Sequence, residues 1–221
     1  ISSCYRFSYE FSPKYAEEPI HIEFSFDINS AFQQRVFAII GENGVGKTQL
    51  ITALPLDLAK RRENLFAPQV PLYSKVIAVS TSLYDSFDVP KNSVGFNYVY
   101  CGLACGKKDN KTILAPKELK LKLLQTTKTI NGRERAESLK NILSPLYSAD
   151  IISALFTIQE EKIKVNQARL VEIVDYMSSG ESSLLFIFCN IVANIRYDSL
   201  ILFDEPETHL HPNAITSLMS S

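Results

Sequence analysis

Hydrophobic and polar positions alternate strictly at the start of the chain. Tyr5, Phe7, Tyr9 and Phe11 fall on one face of residues 4–11, and Ile22, Phe24, Phe26 and Ile28 repeat the pattern over residues 21–28. This period of two predicts half-buried strands, and Pro13 with Glu17-Glu18-Pro19 between them predicts an antiparallel pair. The pattern then changes. Residues 35–40 (RVFAII) are continuously apolar and stop at Gly41, as a buried central strand feeding a glycine loop would. A helix is expected from Thr48 onward, divided at Pro55 because proline has no amide to continue the ladder. Residues 76–80 (VIAVS) predict another buried strand, and residues 92–103, aromatic and glycine-containing, an extended segment. From residue 116 to 168 the apolar spacing turns helical, through Leu119, Leu123, Ile130, Leu139, Ile142, Leu143 and Leu146, punctuated by Asn131-Gly132 and Pro145. No heptad repeat persists, so a compact helical insertion is expected rather than a coiled-coil arm.

Composition narrows the class. With 221 residues, 46% of them hydrophobic, the chain can bury the core of one domain. Its net charge of −1 offers no global attraction to nucleic acid or membrane. No stretch reaches the roughly 20 apolar residues a membrane helix needs, and the longest run, residues 184–192, contains Asn190. No basic-then-apolar leader opens the chain, and Cys4, Cys101, Cys105 and Cys189 read as reduced thiols, so a cytoplasmic protein is expected. Cys101 and Cys105 are spaced like metal ligands but lack a second Cys/His pair. Local charge departs from the total: residues 106–140 hold ten Lys/Arg and four acids, a surplus of six positive charges. That surplus reads either as a solvated helical face or as a patch for DNA or an acidic partner; no aromatics interleave it.

Three separated segments carry chemistry. The first, GENGVGKT, fits Gly-x-x-x-x-Gly-Lys-Thr and supplies Gly41, Glu42, Asn43, Gly44, Val45, Gly46, Lys47, Thr48 and the following Gln49 as nucleotide-binding candidates. Its glycines let the backbone approach phosphates, Lys47 reaches the terminal phosphates, and the Thr48 hydroxyl can ligate Mg²⁺. In the second, LILFDEP, four apolar residues deliver Asp204 to a strand end, where it would hold Mg²⁺ usually through water, while Glu205 points differently and can act as general base. Glu205 and Lys47 are therefore the catalytic candidates, with Thr48 and Asp204 for the metal. The third is MSSGESS. Ser178-x-x-Glu181 is a capping box ahead of the apolar run, and the free amides of that helix start form an anion site.

Taken together, with Gly180 standing 24 positions before Asp204, these segments resemble the ABC-type ATPases. In that family the serine-glycine segment is a signature that meets ATP held by the opposite subunit, which implies trans contacts from Ser178, Ser179, Gly180 and Glu181. Met177, Ser179 and Glu181 replace residues that transporters favour, and the tail from Glu205 to Pro212 is similar to the DEPExHLHP block of RecF/SMC- and OLD-like AAA-type ATPases, including those of anti-phage systems such as Septu and retron-associated modules. Within this block His209 and His211 more naturally shape a loop at the dimer interface than hold a metal. The family's glutamine near Mg²⁺ has no counterpart in residues 80–87 (STSLYDSF), where Ser82 or Asp85 could substitute. The place of its switch histidine lies past Ser221.

The expected fold is an α/β P-loop NTPase of the ABC-ATPase type with an N-terminal antiparallel β subdomain and a helical insertion. Residues 1–221 are read as one domain, C-terminally incomplete: a β-rich part with the phosphate loop (1–105), a helical subdomain (106–176), and the signature helix with the Asp-Glu strand (177–221). The resemblance implies ATP and Mg²⁺ as cofactors, a homodimer closed through ATP, and output to DNA or to a partner nuclease or effector in defence or repair. Two alternatives stand beside it: an ATP-gated interaction module with negligible hydrolysis, and the nucleotide-binding subunit of a transporter, which the Glu205–Pro212 tail opposes.

Overall fold

The computed structural model describes residues 6–14, 16–26, 36–42, 44–80, 96–105 and 112–205, without the side chains of residues 104, 105, 112 and 113. In chain order they form β1 (Arg6–Phe11), β2 (Ile20–Ser25), α1 (Lys47–Ala59), β3 (Phe66–Ala67), β4 (Lys75–Ser80), β5 (Asn97–Gly102), β6 (Ala104–Cys105) and β7 (Thr112–Ile113). There follow α2 (Pro116–Gly132), α3 (Ala136–Leu143), α4 (Ala149–Leu155), β8 (Phe156–Gln159), β9 (Lys162–Val165), α5 (Gln167–Tyr176), α6 (Ser179–Asn194) and β10 (Ser199–Asp204). The chain divides into two compact units, each built from interleaved segments. Residues 1–78, 84–100 and 196–204 make the first, and residues 79–83, 101–195 and 205–221 the second.

In the first unit the alternating pattern does what it predicts. β1 and β2 pair antiparallel, with Phe7 opposite Phe24 and Tyr9 opposite Ile22, and β3 takes the other edge of β1. Phe7, Tyr9 and Phe11 are buried, and their rings stack within the layer: Phe7 on Phe24 at 4.8 Å and Tyr9 on Phe66 at 4.9 Å. Leu50, Leu54 and Leu58, one stripe of α1, close this aromatic core together with Val76, Ala78 and Tyr98. A second sheet has the order β10-β4-β5. Every residue of β4 is buried, as the VIAVS run predicts.

Two expectations fail here. Residues 36–40 form no strand and are exposed, Ile40 to 93%. An apolar run reports a tendency to be buried but cannot name the partner that would pair with it. Both edges of β1 are already taken by β2 and β3, and Phe37 of this segment sets its ring 4.9 Å from that of Phe24. Nor does Pro55 divide the helix: α1 runs 13 residues through it. The missing amide costs one bond to residue 51, but Leu54 and Leu58, on either side, are held in the core and keep the axis continuous. The helix ends instead in a Schellman turn, with Arg61 left-handed (φ 48°) and the amides of Arg61 and Arg62 donating to the carbonyls of Leu58 and Asp57. That turn sets the Arg62 guanidinium 3.2 Å from the Asp57 carboxylate, which also accepts a 2.6 Å bond from the Tyr9 hydroxyl. Burial, and then this bond to Asp57, raise the Tyr9 phenol well above its ordinary range, so it stays a donor.

Beyond the short antiparallel pair β6–β7, the second unit is helical with one exception. α6 lies at its centre and is apolar nearly all round, burying Leu185 to Cys189 and Ile191 to Ala193 against α2 and α3. Full burial pushes the Cys189 thiol up to about 12, which makes it an inert packing group. α5 packs on α2 and α4. The exception is the hairpin β8–β9, inside the span read as helical throughout. Its two-residue turn is Glu160-Glu161, both left-handed (φ 52° and 62°), in place of the Asn-Gly that marks such turns in sequence. Among the described residues no helix is long and apolar enough to cross a membrane.

Tyr9→Phe keeps the ring stack and deletes one charge-assisted bond to a buried carboxylate. It is expected to lower unfolding stability in urea by about 1.5–3 kcal/mol. A midpoint unchanged from wild type would show that Asp57 is held by Arg62 alone.

Candidate functional site

The phosphate-loop residues sit where the β1–β2 connection and α1 meet. Gly44 (φ 89°) and Gly46 (φ 99°) are left-handed, a conformation that only glycine adopts without strain, and they turn the chain into α1 at Lys47. Gly46 fits under Pro13: a methyl group there would stand 3.4 Å from the proline Cβ. The Gly46 carbonyl accepts the first helical bond, from the Leu50 amide at 2.9 Å. No side chain caps this helix start and no acid occupies its first turn. Amides without intrahelical partners therefore face outward at a positive dipole end, which is the chemistry of an anion site. Lys47 folds back over the loop and donates to the carbonyls of Gly41 (2.5 Å) and Glu42 (3.0 Å). Thr48 and Gln49 are half-buried, and the Gln49 side chain accepts a 3.0 Å bond from the Lys14 amide. Val45 is exposed, and Asn43 lies outside the described residues. The tie between Lys14 and Gln49 has no sequence signal beyond the proline beside it.

β10 belongs to the same unit and packs against α1. Leu200 and Leu202 turn toward the aromatic core, and the strand ends at Asp204, which is 3% exposed. The next residue differs in every respect: Glu205 is exposed and left-handed (φ 46°). A glutamate in that region is strained, and such strain gathers at functional positions. For Mg²⁺ the donor set is chemically suitable, a hydroxyl on α1 and a carboxylate on β10, both hard oxygens. Among the described residues no group of three His, Cys, Asp or Glu could hold a metal alone. Two protein oxygens completed by water and phosphate is how Mg²⁺ is usually bound.

The serine-glycine segment lies in the other unit, at the start of α6. The capping box is formed. Ser178 Oγ accepts from the Glu181 amide at 3.2 Å, and Glu181 Oε2 accepts from the Ser178 amide at 2.8 Å. The Ser178 amide first, and then the Ser178 side chain, hold the Glu181 carboxyl below the usual carboxylate range. Ser178, Ser179, Gly180 and Glu181 are all exposed while the helix behind them is buried, and nothing lies within 4 Å of a methyl group built on Gly180. Tyr176, just before the segment, is 91% exposed. The segment is therefore presented on a rigid helix with its outer face open.

The basic insertion is less of a patch than its charge count implies. Lys120 pairs with Asp175, and Arg133 and Arg135 donate to carbonyls at the end of α6. Residues 106–111 lie outside the described residues, as do Cys4, Ser82, Asp85, His209 and His211. Cys101 and Cys189 are buried.

Comparison with known proteins agrees with this chemistry at a coarse level. The chain is 26% identical over 250 aligned residues to "Protein ea59" of Escherichia phage lambda, covering 96% of this chain and 47% of that protein. It thus spans about half the length of the curated relative it matches. No solved structure matches it. The family described as "AAA domain, putative AbiEii toxin, Type IV TA system" matches residues 55–221, more than half of the chain. That span includes Ser178–Glu181, Asp204 and Glu205 and begins after the phosphate loop. The chain belongs to this family of AAA-type P-loop ATPase domains.

Proposed function

We propose that the chain is the ATP-hydrolysing domain of a RecF/SMC/OLD-like ABC-type ATPase that closes two copies around ATP. The observation that carries this is the start of α6, where Ser178, Ser179, Gly180 and Glu181 are held by a capping box and exposed together. The open space at Gly180 leaves room for a second molecule's phosphate to approach this helix start. The uncapped start of α1 supports the other half of the reading. There, phosphates would take the outward amides of Lys47, Thr48 and Gln49, and Lys47 would leave the Gly41 and Glu42 carbonyls for the terminal phosphates. Bound Mg²⁺ would neutralise charge developing on the phosphates, held by Thr48 and Asp204. Glu205, set apart from Asp204 by its left-handed backbone, would orient the attacking water and take its proton.

The output is proposed to be DNA or a partner nuclease or effector. The family description names a toxin of a type IV toxin–antitoxin system and the relative is a phage protein, which favours a role in phage-related conflict over transport. A second reading, an ATP-gated module with negligible turnover, draws on the absence of glutamine from residues 80–87.

Lys47→Ala removes the charge facing the phosphates and is expected to abolish ATP binding measured by calorimetry. Retention of wild-type affinity would place the nucleotide elsewhere. Glu205→Gln, similar in shape but unable to accept a proton, should retain MgATP, lose turnover and accumulate as an ATP-dependent dimer in sedimentation velocity. A variant that hydrolyses at the wild-type rate would move the base to another residue, and one that stays monomeric with ATP would remove the sandwich.

A further inference from the structure

α6 is gripped at both ends by the helical insertion, through side chains that no motif marks. At its start the Tyr147 hydroxyl, on the turn between α3 and α4, donates to the Glu181 carbonyl at 2.6 Å. At its end the Arg133 guanidinium donates to the Ala193 carbonyl at 2.6 Å, and Arg135 donates to Val192 at 2.9 Å and Ile195 at 2.7 Å. Carbonyls in the last turn of a helix have no intrahelical donors, and a cation there meets the negative end of the dipole. A planar guanidinium bridging two such carbonyls fixes direction as well as contact.

These grips start from a braced corner. α2 ends in a Schellman turn in which Glu134 is left-handed (φ 57°), with the amides of Glu134 and Arg135 on the carbonyls of Asn131 and Ile130. Asn131 is bonded twice to Val165 of β9, at 3.0 and 2.8 Å, and Glu134 pairs with Lys162 at 2.5 Å. Arg133 and Arg135 flank this turn and reach α6 from it.

The bond from Tyr147 does more than satisfy the helix start. Ser178 and Glu181 already cap it between them, and in a regular helix the Glu181 carbonyl also serves the amide four residues on. The remaining consequence of a donor at that carbonyl is orientation. The leverage is large: α6 has 16 residues, about 24 Å at 1.5 Å each, so a tilt of about 3° at one end displaces the other by about 1 Å. A displacement of that size can cost about 100-fold where reacting groups must be aligned.

We propose that Tyr147, Arg133 and Arg135 are positioning residues for the signature: they fix where Ser178–Glu181 stand, and so govern closure on the second copy's ATP, without touching nucleotide. This rests on the ATP-sandwich reading above. It also turns part of the insertion's positive surplus inward, and gives the insertion a mechanical route to the signature. Burial keeps the Tyr147 phenol protonated, raised well above its ordinary range, so its effect is constant across the working pH range.

The test compares wild type with Tyr147→Phe, Arg135→Lys and Arg135→Gln, using affinity for a fluorescent ATP analogue, steady-state turnover, melting temperature, and the ATP-dependent dimer in a Glu205→Gln background. Tyr147→Phe should bind the analogue within about twofold of wild type, melt as a folded chain, and lose about 5- to 50-fold in kcat with KM unchanged. The ratio to wild type should be flat from pH 6.5 to 9, and the dimer should weaken. Arg135→Lys, which keeps a charged donor, should retain more turnover than Arg135→Gln. Wild-type kcat and dimer in Tyr147→Phe overturn the proposal, as does a loss of analogue binding that follows a loss of folded protein. A wild-type chain that closes on ATP while Tyr147→Phe closes equally well removes this assignment alone. A wild type that neither closes nor turns over removes the parent reading and this proposal with it.

Discussion

A helix cannot satisfy its own ends, and the two helices that carry motifs in this chain meet that constraint in opposite ways. α1 starts after left-handed glycines with no capping side chain and no acid in its first turn, so its amides remain available to an anion. α6 starts with a complete capping box, and its last carbonyls are taken by Arg133 and Arg135. The open end suits a ligand that arrives and leaves. The closed one suits a surface that must hold its shape when a second molecule meets it.

Both arrangements depend on packing that lies away from the motifs. α1 is fixed by its leucine stripe in the aromatic core and by Tyr9 on Asp57. α6 is fixed by being apolar nearly all round. The strain that remains sits at turns, where Arg61, Glu134, Glu160, Glu161 and Glu205 are all left-handed without being glycine or asparagine. At the first four, the turn delivers a helix end or a hairpin. Glu205 stands apart because it directly follows the Asp204 strand.

Those same turns explain where sequence reading succeeds and fails. The β1–β2 pair, β4 and the capping box are legible because period-two alternation, a continuous apolar run and Ser-x-x-Glu each report a local preference that the fold respects. The β8–β9 hairpin is hidden because Glu-Glu carries no turn signal, and the helix ends at Arg61 and Glu134 lack the glycine that would announce them. Residues 36–40 show the complementary error, since their hydrophobicity is real but pairing is a property of neighbours. The motif residues themselves were all visible in sequence. Tyr147 and the α6-facing role of Arg133 and Arg135 were not, because a bond to a backbone carbonyl 34 to 60 residues away leaves no pattern in residue types.

The central claim is that one nucleotide site is assembled from two copies, and mixing two inactive variants tests it most directly. A Lys47→Ala chain lacks the phosphate lysine but offers an intact signature. A Ser178→Arg chain keeps its phosphate loop but fills the signature with bulk and positive charge. Each alone should be inactive. Mixed, they should regain ATP turnover through heterodimers that contain one complete composite site, with activity rising and falling with the proportion of the two chains. A mixture as inactive as its components, from chains that are folded and whose Ser178→Arg member still binds ATP, would contradict the account.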